Sequence, residues 1–283
     1  MLVNSKEITL RALKEKYAIP HFNINNLEWT KYILETAEEL KSPIILGVSV
    51  SATKYMGGFK TIVNLVNGLI EDLNITIPVC LHLDHGSNFD TCKKAIDAGF
   101  TSVMIDASAY SLEENINITK QVVDYAKTFN VTVEAEIGHI GGCEDNTSAD
   151  IAHAKVADVI KLAEATNIDL IAPALGSVHG LYKGTPNLDF DKMKEISNLV
   201  KIPLVLHGGT GIYNEQIKKA IHCGIAKINI NTDLQIVWSN AVKEFIHNNP
   251  NIYDPRKIIS SGELALKNKV KEKIILFESN NKY

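Results

Sequence analysis

Two kinds of apolar stretch alternate along this chain. Short continuous runs such as 43–49, 79–83 and 169–175 have no polar face, while the segments between them repeat apolar residues at helical spacing. The first kind predicts strands at 19–25, 43–49, 79–85, 102–107, 131–137, 169–175, 203–207 and 225–230. The second predicts helices at 27–41, 57–73, 89–98, 113–129, 152–166, 189–199, 214–222 and 232–248. A last charged helix at 256–277 follows Pro250 and Pro255, which break the chain. Strands without an alternating polar face are buried on both sides, so they run parallel under a cover of helices. Eight such units predict closure into a (β/α)8 TIM barrel, with an open doubly wound sheet as the competing arrangement. The length of 283 residues suits one barrel, which takes ~250 residues, so 1–283 reads as a single domain with an additional C-terminal helix.

In a barrel, functional residues gather at the carboxyl ends of the strands. Those ends carry Asn23, Ser49, Asp84 with His85, Asp106, Glu136, His179, His207, and Asn229 with Asn231; the amino ends carry nothing comparable. Each of the three histidines closes a different strand and is followed by glycine. Three imidazoles that leave a position open form the donor set of a catalytic zinc site, and glycine lets backbone approach an ion or ligand closely. A single histidine of this kind would read more readily as a hydrogen-bonded loop residue; three together, each before glycine, favour the metal. Asp84 sets a proton carrier beside one ligand. His82, inside its strand, reads as core, and His153, His222 and His247 as solvent-facing residues on helices.

Two loops suggest phosphate. His207-Gly208-Gly209-Thr210-Gly211 lies between a strand and a helix, where its N–H groups can form an anion nest. Asn229-Ile230-Asn231-Thr232-Asp233 leads from a strand straight into a helix, with Asn231 or Thr232 as N-cap. A tight turn alone would also ask for the glycines; two adjacent donor loops after the last two strands match a recurrent phosphate site. The segment 138–148 is glycine-hinged and carries Glu144 and Asp145, so it reads as a lid bringing an acid or base over the site, or as a surface loop.

Charge and composition narrow the partners. With 29 basic and 33 acidic residues the net charge is −4, which gives nucleic acid nothing to bind. No apolar run reaches about 18 residues and the N-terminus lacks a signal-peptide core, so a soluble cytoplasmic protein without a membrane partner is expected. Four cysteines without CxxC spacing suit reduced thiols, and Cys143 lacks the basic neighbours that favour a thiolate.

Several motifs occur together in order. They are Lys54-Tyr55-Met56-Gly57-Gly58, Leu83-Asp84-His85-Gly86, Val133-Glu134-Ala135-Glu136-Ile137-Gly138 with Gly141-Gly142, Gly176-Ser177-Val178-His179-Gly180 with Tyr182-Lys183-Gly184, the two phosphate loops, and Asp254-Pro255-Arg256-Lys257. From Phe22-Asn23 to the terminal helix the chain resembles the class II, metal-dependent ketose-bisphosphate aldolases, fructose-bisphosphate aldolase among them. The resemblance implies a (β/α)8 barrel with catalytic Zn²⁺ on His85, His179 and His207, and a second divalent cation near Asp106 and Glu136. It implies Asp84 as proton carrier at the aldehyde oxygen and Glu144 as the group that moves the C1 proton. The ketose phosphate would be held by Gly180, Gly208, Gly209, Thr210, Asn229, Ile230, Asn231 and Thr232, with Asn23, Ser51 and Lys183 as further contacts. Arg256 resembles a residue that reaches the distal phosphate of a neighbouring subunit's substrate, which implies a homodimer or homotetramer. The resemblance also leaves room for a monovalent cation, Na⁺ or K⁺.

The implied reaction is reversible cleavage of fructose 1,6-bisphosphate to dihydroxyacetone phosphate and glyceraldehyde 3-phosphate, with zinc stabilising the enediolate in place of a lysine Schiff base. The chain departs from the family pattern at His21, where a small residue is usual, at Ser111, where proline is common, and at His139 and Cys143 in the lid. Tagatose 1,6-bisphosphate is the rival substrate. A sugar-phosphate-binding barrel without catalysis and a zinc hydrolase are the rivals of other classes; paired phosphate loops argue against the hydrolase, and Asp84 with three histidines against the binder.

Overall fold

The chain begins with a helix that its hydrophobic pattern did not announce. α1 (Lys6–Glu15) buries Ile8 and Ala12 and ends at Lys16 in the left-handed region. Its apolar stripe packs with Tyr17 on Ile19, Ile45, Cys80 and Ala226, all at the amino ends of strands, so it plugs one mouth of the barrel. The computed structural model describes residues 2–144, 147–149, 153–180, 182 and 184–283, with backbone alone at 142–144 and 147–149.

Then follow β1 (Ile19–Asn23), α2 (Leu27–Glu39), β2 (Ile44–Ser49), α3 (Val50–Tyr55), α4 (Phe59–Asp72), β3 (Val79–Gly86), α5 (Phe89–Ala98), β4 (Ser102–Ile105), α6 (Leu112–Lys127) and β5 (Thr132–Ile137). A hairpin, β6 (Gly141–Glu144) and β7 (Thr147–Ala149), precedes α7 (Val156–Thr166), β8 (Leu170–Pro173) and the short β9 (Val178–His179). The chain closes with α8 (Phe190–Val200), β10 (Leu204–Leu206), α9 (Asn214–His222), β11 (Ile225–Ile230), α10 (Thr232–Asn248), α11 (Pro255–Ser260) and α12 (Glu263–Leu276). β1, β2, β3, β4, β5, β8, β10 and β11 form a closed barrel in chain order, every neighbouring pair parallel. The expected (β/α)8 TIM barrel is therefore the architecture, and the open sheet is excluded.

The main core lies between strands and helices. Outward residues such as Phe22, Leu46, Leu81, Val103, Ala135 and Ile228 meet helical residues such as Trp29, Ile33, Val66, Ile96, Val122 and Val159. Local signals account for the helix ends. Asn26 and Asn88 cap α2 and α5 through their side chains. Ser111 and Glu114 form a capping box at α6, so the residue standing where proline is common starts the helix by hydrogen bonding instead.

Besides α1, the element pattern needs four corrections. The terminal helix expected at 256–277 is two helices that meet at Ser261 and Gly262, where Gly262 packs so close to the Trp238 ring that an added Cβ would fall 2.3 Å from it. α3 was not foreseen; Ser49 caps it at Ala52 N. The expected loop at 138–148 contains β6 and β7, which form a small sheet with β9. His153, expected on a helix, lies exposed before α7, whereas His222 and His247 are exposed on helices as expected. Among the described residues no helix is long and apolar enough to cross a membrane. Cys80, Cys92 and Cys223 are free, and burial pushes the Cys80 and Cys92 thiols up to about 12.

Candidate active site

β3 ends the apolar run Cys80–Leu83 with Asp84 and His85, and the strand geometry changes there: His85 adopts φ +52°, the left-handed region that non-glycine residues seldom occupy. Its ring comes to face those of His179, from β9, and His207, just beyond β10, with centroids 5.2 and 4.8 Å away. One donor atom from each of the three imidazoles lies within 4.8 Å of the others. The hydrogen bonds decide which atoms those are. His85 Nδ1 lies 2.9 Å from Asp106 Oδ2, and His207 Nε2 lies 2.9 Å from Glu134 Oε1. Carboxylates accept, so these two nitrogens carry the protons. His85 Nε2 and His207 Nδ1, 3.0 Å apart, are then two lone pairs facing each other. Two acceptors repel; a cation shared between them, with His179 as the third ligand, turns the repulsion into ligation. The residues present fit a tetrahedral ion with one open position.

Asp84 is fully buried beside this group. Asn23 Nδ2 donates to its Oδ2 at 2.8 Å and Asn229 Nδ2 to its Oδ1 at 3.4 Å, so side chains from β1 and β11 aim the carboxylate. The chain matches the family model described as fructose-bisphosphate aldolase class II over residues 3–282. It belongs to the class II fructose-bisphosphate aldolases. These are metal-dependent carbon–carbon lyases. A relative named fructose-bisphosphate aldolase from Geobacillus stearothermophilus is 57% identical over 99% of this chain and 98% of its own length. Another of that name, from Staphylococcus epidermidis, is 53% identical over 99% of both chains. Among solved structures, the YdjI aldolase of Escherichia coli K12 is similar at TM-score 0.88 and 34% identity, over 100% of this chain and 99% of that one.

The other site residues of this aldolase fall in three groups. His85, Asp106 and Glu136, the last two named for a second cation, also bring donor atoms within 4.8 Å of one another. Burial would raise the Asp106 carboxyl, yet the bond and charge of His85, with two bonds from Ser108, outweigh it and hold the group well below its ordinary value. The phosphate loops form the second group. Gly209 N donates to Asn229 O at 3.1 Å and Asp233 N to Thr210 Oγ1 at 3.2 Å, tying the two loops together. Asn231 is the N-cap residue of α10 but its side chain makes no capping bond, and the positive end of this 17-residue helix faces the loops. Gly180 and Gly208 have φ of +84° and +63°.

The third group is less converged. Ile230 packs its side chain in the outer core, so only its backbone can address a ligand. Ser51, on α3, is exposed and lies 3.1 Å from Ser49 Oγ. Arg256 stands on α11 with its side chain 89% exposed and its guanidinium forked onto Asp254 at 2.9 and 3.1 Å. Lys183 lies outside the described residues, as do the side chains of Glu144 and Cys143. The backbone of Glu144 belongs to β6, whose Gly142 pairs with His179, so the expected lid is laced to the strand that carries His179 rather than hanging as a loop.

The glycines after the histidines also serve differently from expectation. A Cβ at Gly86 would meet Cys92 Sγ and the Met104 carbonyl at 2.6 Å, and one at Gly208 would meet the Val178 carbonyl at 2.0 Å. They admit the protein's own backbone, bringing β9 and its His179 onto the loop after β10. Tyr182 clamps the same junction, its hydroxyl donating to Gly208 O and accepting from Val178 N.

Sequence reasoning missed Glu134 and Lys227 and left His82 as core. All three are buried and bonded together: Lys227 Nζ donates to Glu134 Oε2 at 2.7 Å and lies 3.5 Å from His82 Nε2, while His82 Nδ1 meets Ser102 Oγ at 2.8 Å. Burial would raise the Glu134 carboxyl, but Lys227 above all outweighs it and the group is held well below its ordinary value. Burial, then Lys227, pushes the His82 and His21 imidazoles well down. Burial also lowers His207, against the pull of its Glu134 bond. A signal existed. Glu134, Lys227 and His82 each stand two residues before a site residue (Glu136, Asn229, Asp84), and period two puts them on the same inward face, one step deeper.

Proposed function

We propose that this chain performs the reversible, zinc-assisted aldol cleavage of fructose 1,6-bisphosphate to dihydroxyacetone phosphate and glyceraldehyde 3-phosphate, in one catalytic domain spanning 1–283. The observation that carries this reading is the convergence of three histidine donors within 4.8 Å of one another beside the buried, doubly anchored Asp84. A barrel that only binds sugar phosphates has no use for that set. His85, His179 and His207 would hold the zinc, whose Lewis acidity stabilises the negative charge left on the three-carbon fragment as the C3–C4 bond breaks. Asp84 takes the C4 hydroxyl proton in cleavage and returns it in condensation. Its amide donors Asn23 and Asn229 fix the carboxylate against rotation while it does so.

The loops at Gly180, at Gly208, Gly209 and Thr210, and at 229–232 bind the ketose phosphate, drawn by the N-terminus of α10. Ser51 and Lys183 add contacts, Glu144 moves the C1 proton, and Asp106 with Glu136 takes a second divalent cation. Arg256, exposed on its own subunit, reaches the distal phosphate of a neighbour, which makes a homodimer or homotetramer the functional unit. Reduced cysteines suit the cytoplasm.

The test is zinc content together with triose-phosphate release from fructose and tagatose 1,6-bisphosphate, with and without chelator. We expect faster cleavage of the fructose sugar, loss on chelation and recovery on adding zinc. Asp84→Ala retains zinc and loses about 10²–10⁴-fold in kcat. Chelator-resistant cleavage would refute the metal role, and a preference for the tagatose sugar would move the chain to the rival substrate.

A further inference from the structure

A lysine and a glutamate lie wholly inside the barrel, one step below the phosphate and metal residues, with Nζ and Oε2 2.7 Å apart and side chains 1% and 0% exposed. Such a pair is weak evidence of stabilisation, because removing two charges from water offsets most of their attraction. Its position suggests another use. Ser102, His82, Lys227, Glu134 and His207 form one unbroken chain of contacts across four strands and the loop after β10, at 2.8, 3.5, 2.7 and 2.9 Å. Directions along it are set by chemistry: the ammonium can only donate and the carboxylate can only accept. Lys227 therefore donates to Glu134 on one side and to His82 Nε2 on the other, and His82 Nδ1–H donates to Ser102. Glu134 is left with one oxygen for a single task, accepting the Nε2–H of His207.

We propose that Glu134 and Lys227 are positioning residues of the metal centre: Lys227 anchors the Glu134 carboxylate, and that carboxylate fixes the His207 ring in the Nε2–H tautomer, so that Nδ1 faces the ion. The inference rests on the metal reading above. It explains why the barrel interior holds a charged pair at all, and why His207 turns Nδ1 inward while His85, oriented by Asp106, turns Nε2 inward. Outer-sphere carboxylates of this kind orient ligand imidazoles and raise their basicity, and losing them typically costs 10–100-fold in metal affinity.

Two measurements on the full chain test it. Chelator competition gives the zinc affinity of wild type, Glu134→Gln, Lys227→Met and the double variant, with circular dichroism reporting the fold of each. We expect each single variant to bind zinc about 10–100-fold more weakly. The double variant should lose no more than the larger single loss, because both changes cut the same chain. Nitrogen-15 NMR of histidine-labelled, metal-free wild type, with the His207 signals assigned by their absence in His207→Gln, should show the Nε2–H tautomer. The Glu134→Gln chain should show a mixture. Variants that fold and bind zinc within about threefold of wild type overturn the proposal. An Nδ1–H tautomer in wild type overturns it even where no variant folds. A wild-type chain that takes up no divalent ion refutes the underlying metal reading instead, a result distinct from either of these.

Discussion

His21 and Gly47 show how single residues are matched across strands here. An added Cβ at Gly47 would fall 1.7 Å from His21 Nε2, so the imidazole of β1 occupies the space that a side chain on β2 would need. Both nitrogens of that ring are buried without a hydrogen-bond partner among the described residues, and the ring lies edge-on to His82 at 5.5 Å. Burial holds the imidazole neutral by pushing it well below its ordinary value. We predict that Gly47→Ala destabilises the protein by about 1–3 kcal/mol through overpacking, measured by denaturant unfolding. Adding His21→Ala should recover part of the loss, a coupling expected of residues in contact. Additive effects would mean the ring has another place to go. The departure from family pattern at His21 was visible in the sequence, but its partner was not, since nothing in the chain order joins position 21 to position 47.

At the scale of elements, Glu38 fastens the end of α2 to the entrance of β3. Its carboxylate accepts from Thr76 N at 2.7 Å, Thr76 Oγ1 at 2.8 Å and Ile77 N at 3.1 Å, and pairs with Lys41. Partial burial would raise this carboxyl; Lys41 and the three donors outweigh it and lower it from 4.5 to about 2. A depressed carboxylate stabilises the fold above its unfolded value, and the contribution fades as pH falls from about 4.5 through about 2. Glu38→Gln should therefore cost about 1–2 kcal/mol at neutral pH, given solvent screening of a partly exposed group, and almost nothing near pH 2. Urea unfolding across that range checks it, and a pH-independent loss would contradict it. Because β3 carries Asp84 and His85, this clip also bears on the register in which the site is delivered.

For the whole molecule, the decisive quantity is the linkage between ion binding and folding. The three histidines come from β3, β9 and the loop after β10, so an ion they share joins segments that are distant in sequence, His85 and His207 lying 122 positions apart. An ion bound only by the folded state at 1,000 times its Kd stabilises by about 4 kcal/mol. For a chain of this length that corresponds to about 7 °C in Tm. Chelation should lower Tm by roughly that amount and zinc should restore it, as read by calorimetry. An unchanged Tm would mean that the histidines do not share an ion.

Much of the architecture follows from the chain order alone. Continuous apolar runs forced parallel, doubly covered strands, eight of them closed a barrel, and barrel geometry sent Asp84, His85 and His207 to one mouth; His179, expected to close a barrel strand, reaches them instead from β9, outside the barrel sheet. The helix start expected at Asn231 or Thr232 is also found, with Asn231 as the N-cap residue of α10, although its side chain makes no capping bond. What escaped was of two kinds. Short or weakly patterned elements such as α3 and the β6–β7 hairpin draw their stability from what they pack on or pair with, so their own residues announce little. The chain through Ser102, His82, Lys227, Glu134 and His207 was hidden for another reason. Period two says which residues of a strand face inward, but only the stagger between strands decides which of them touch across the interior, and that stagger exists only once the barrel has closed.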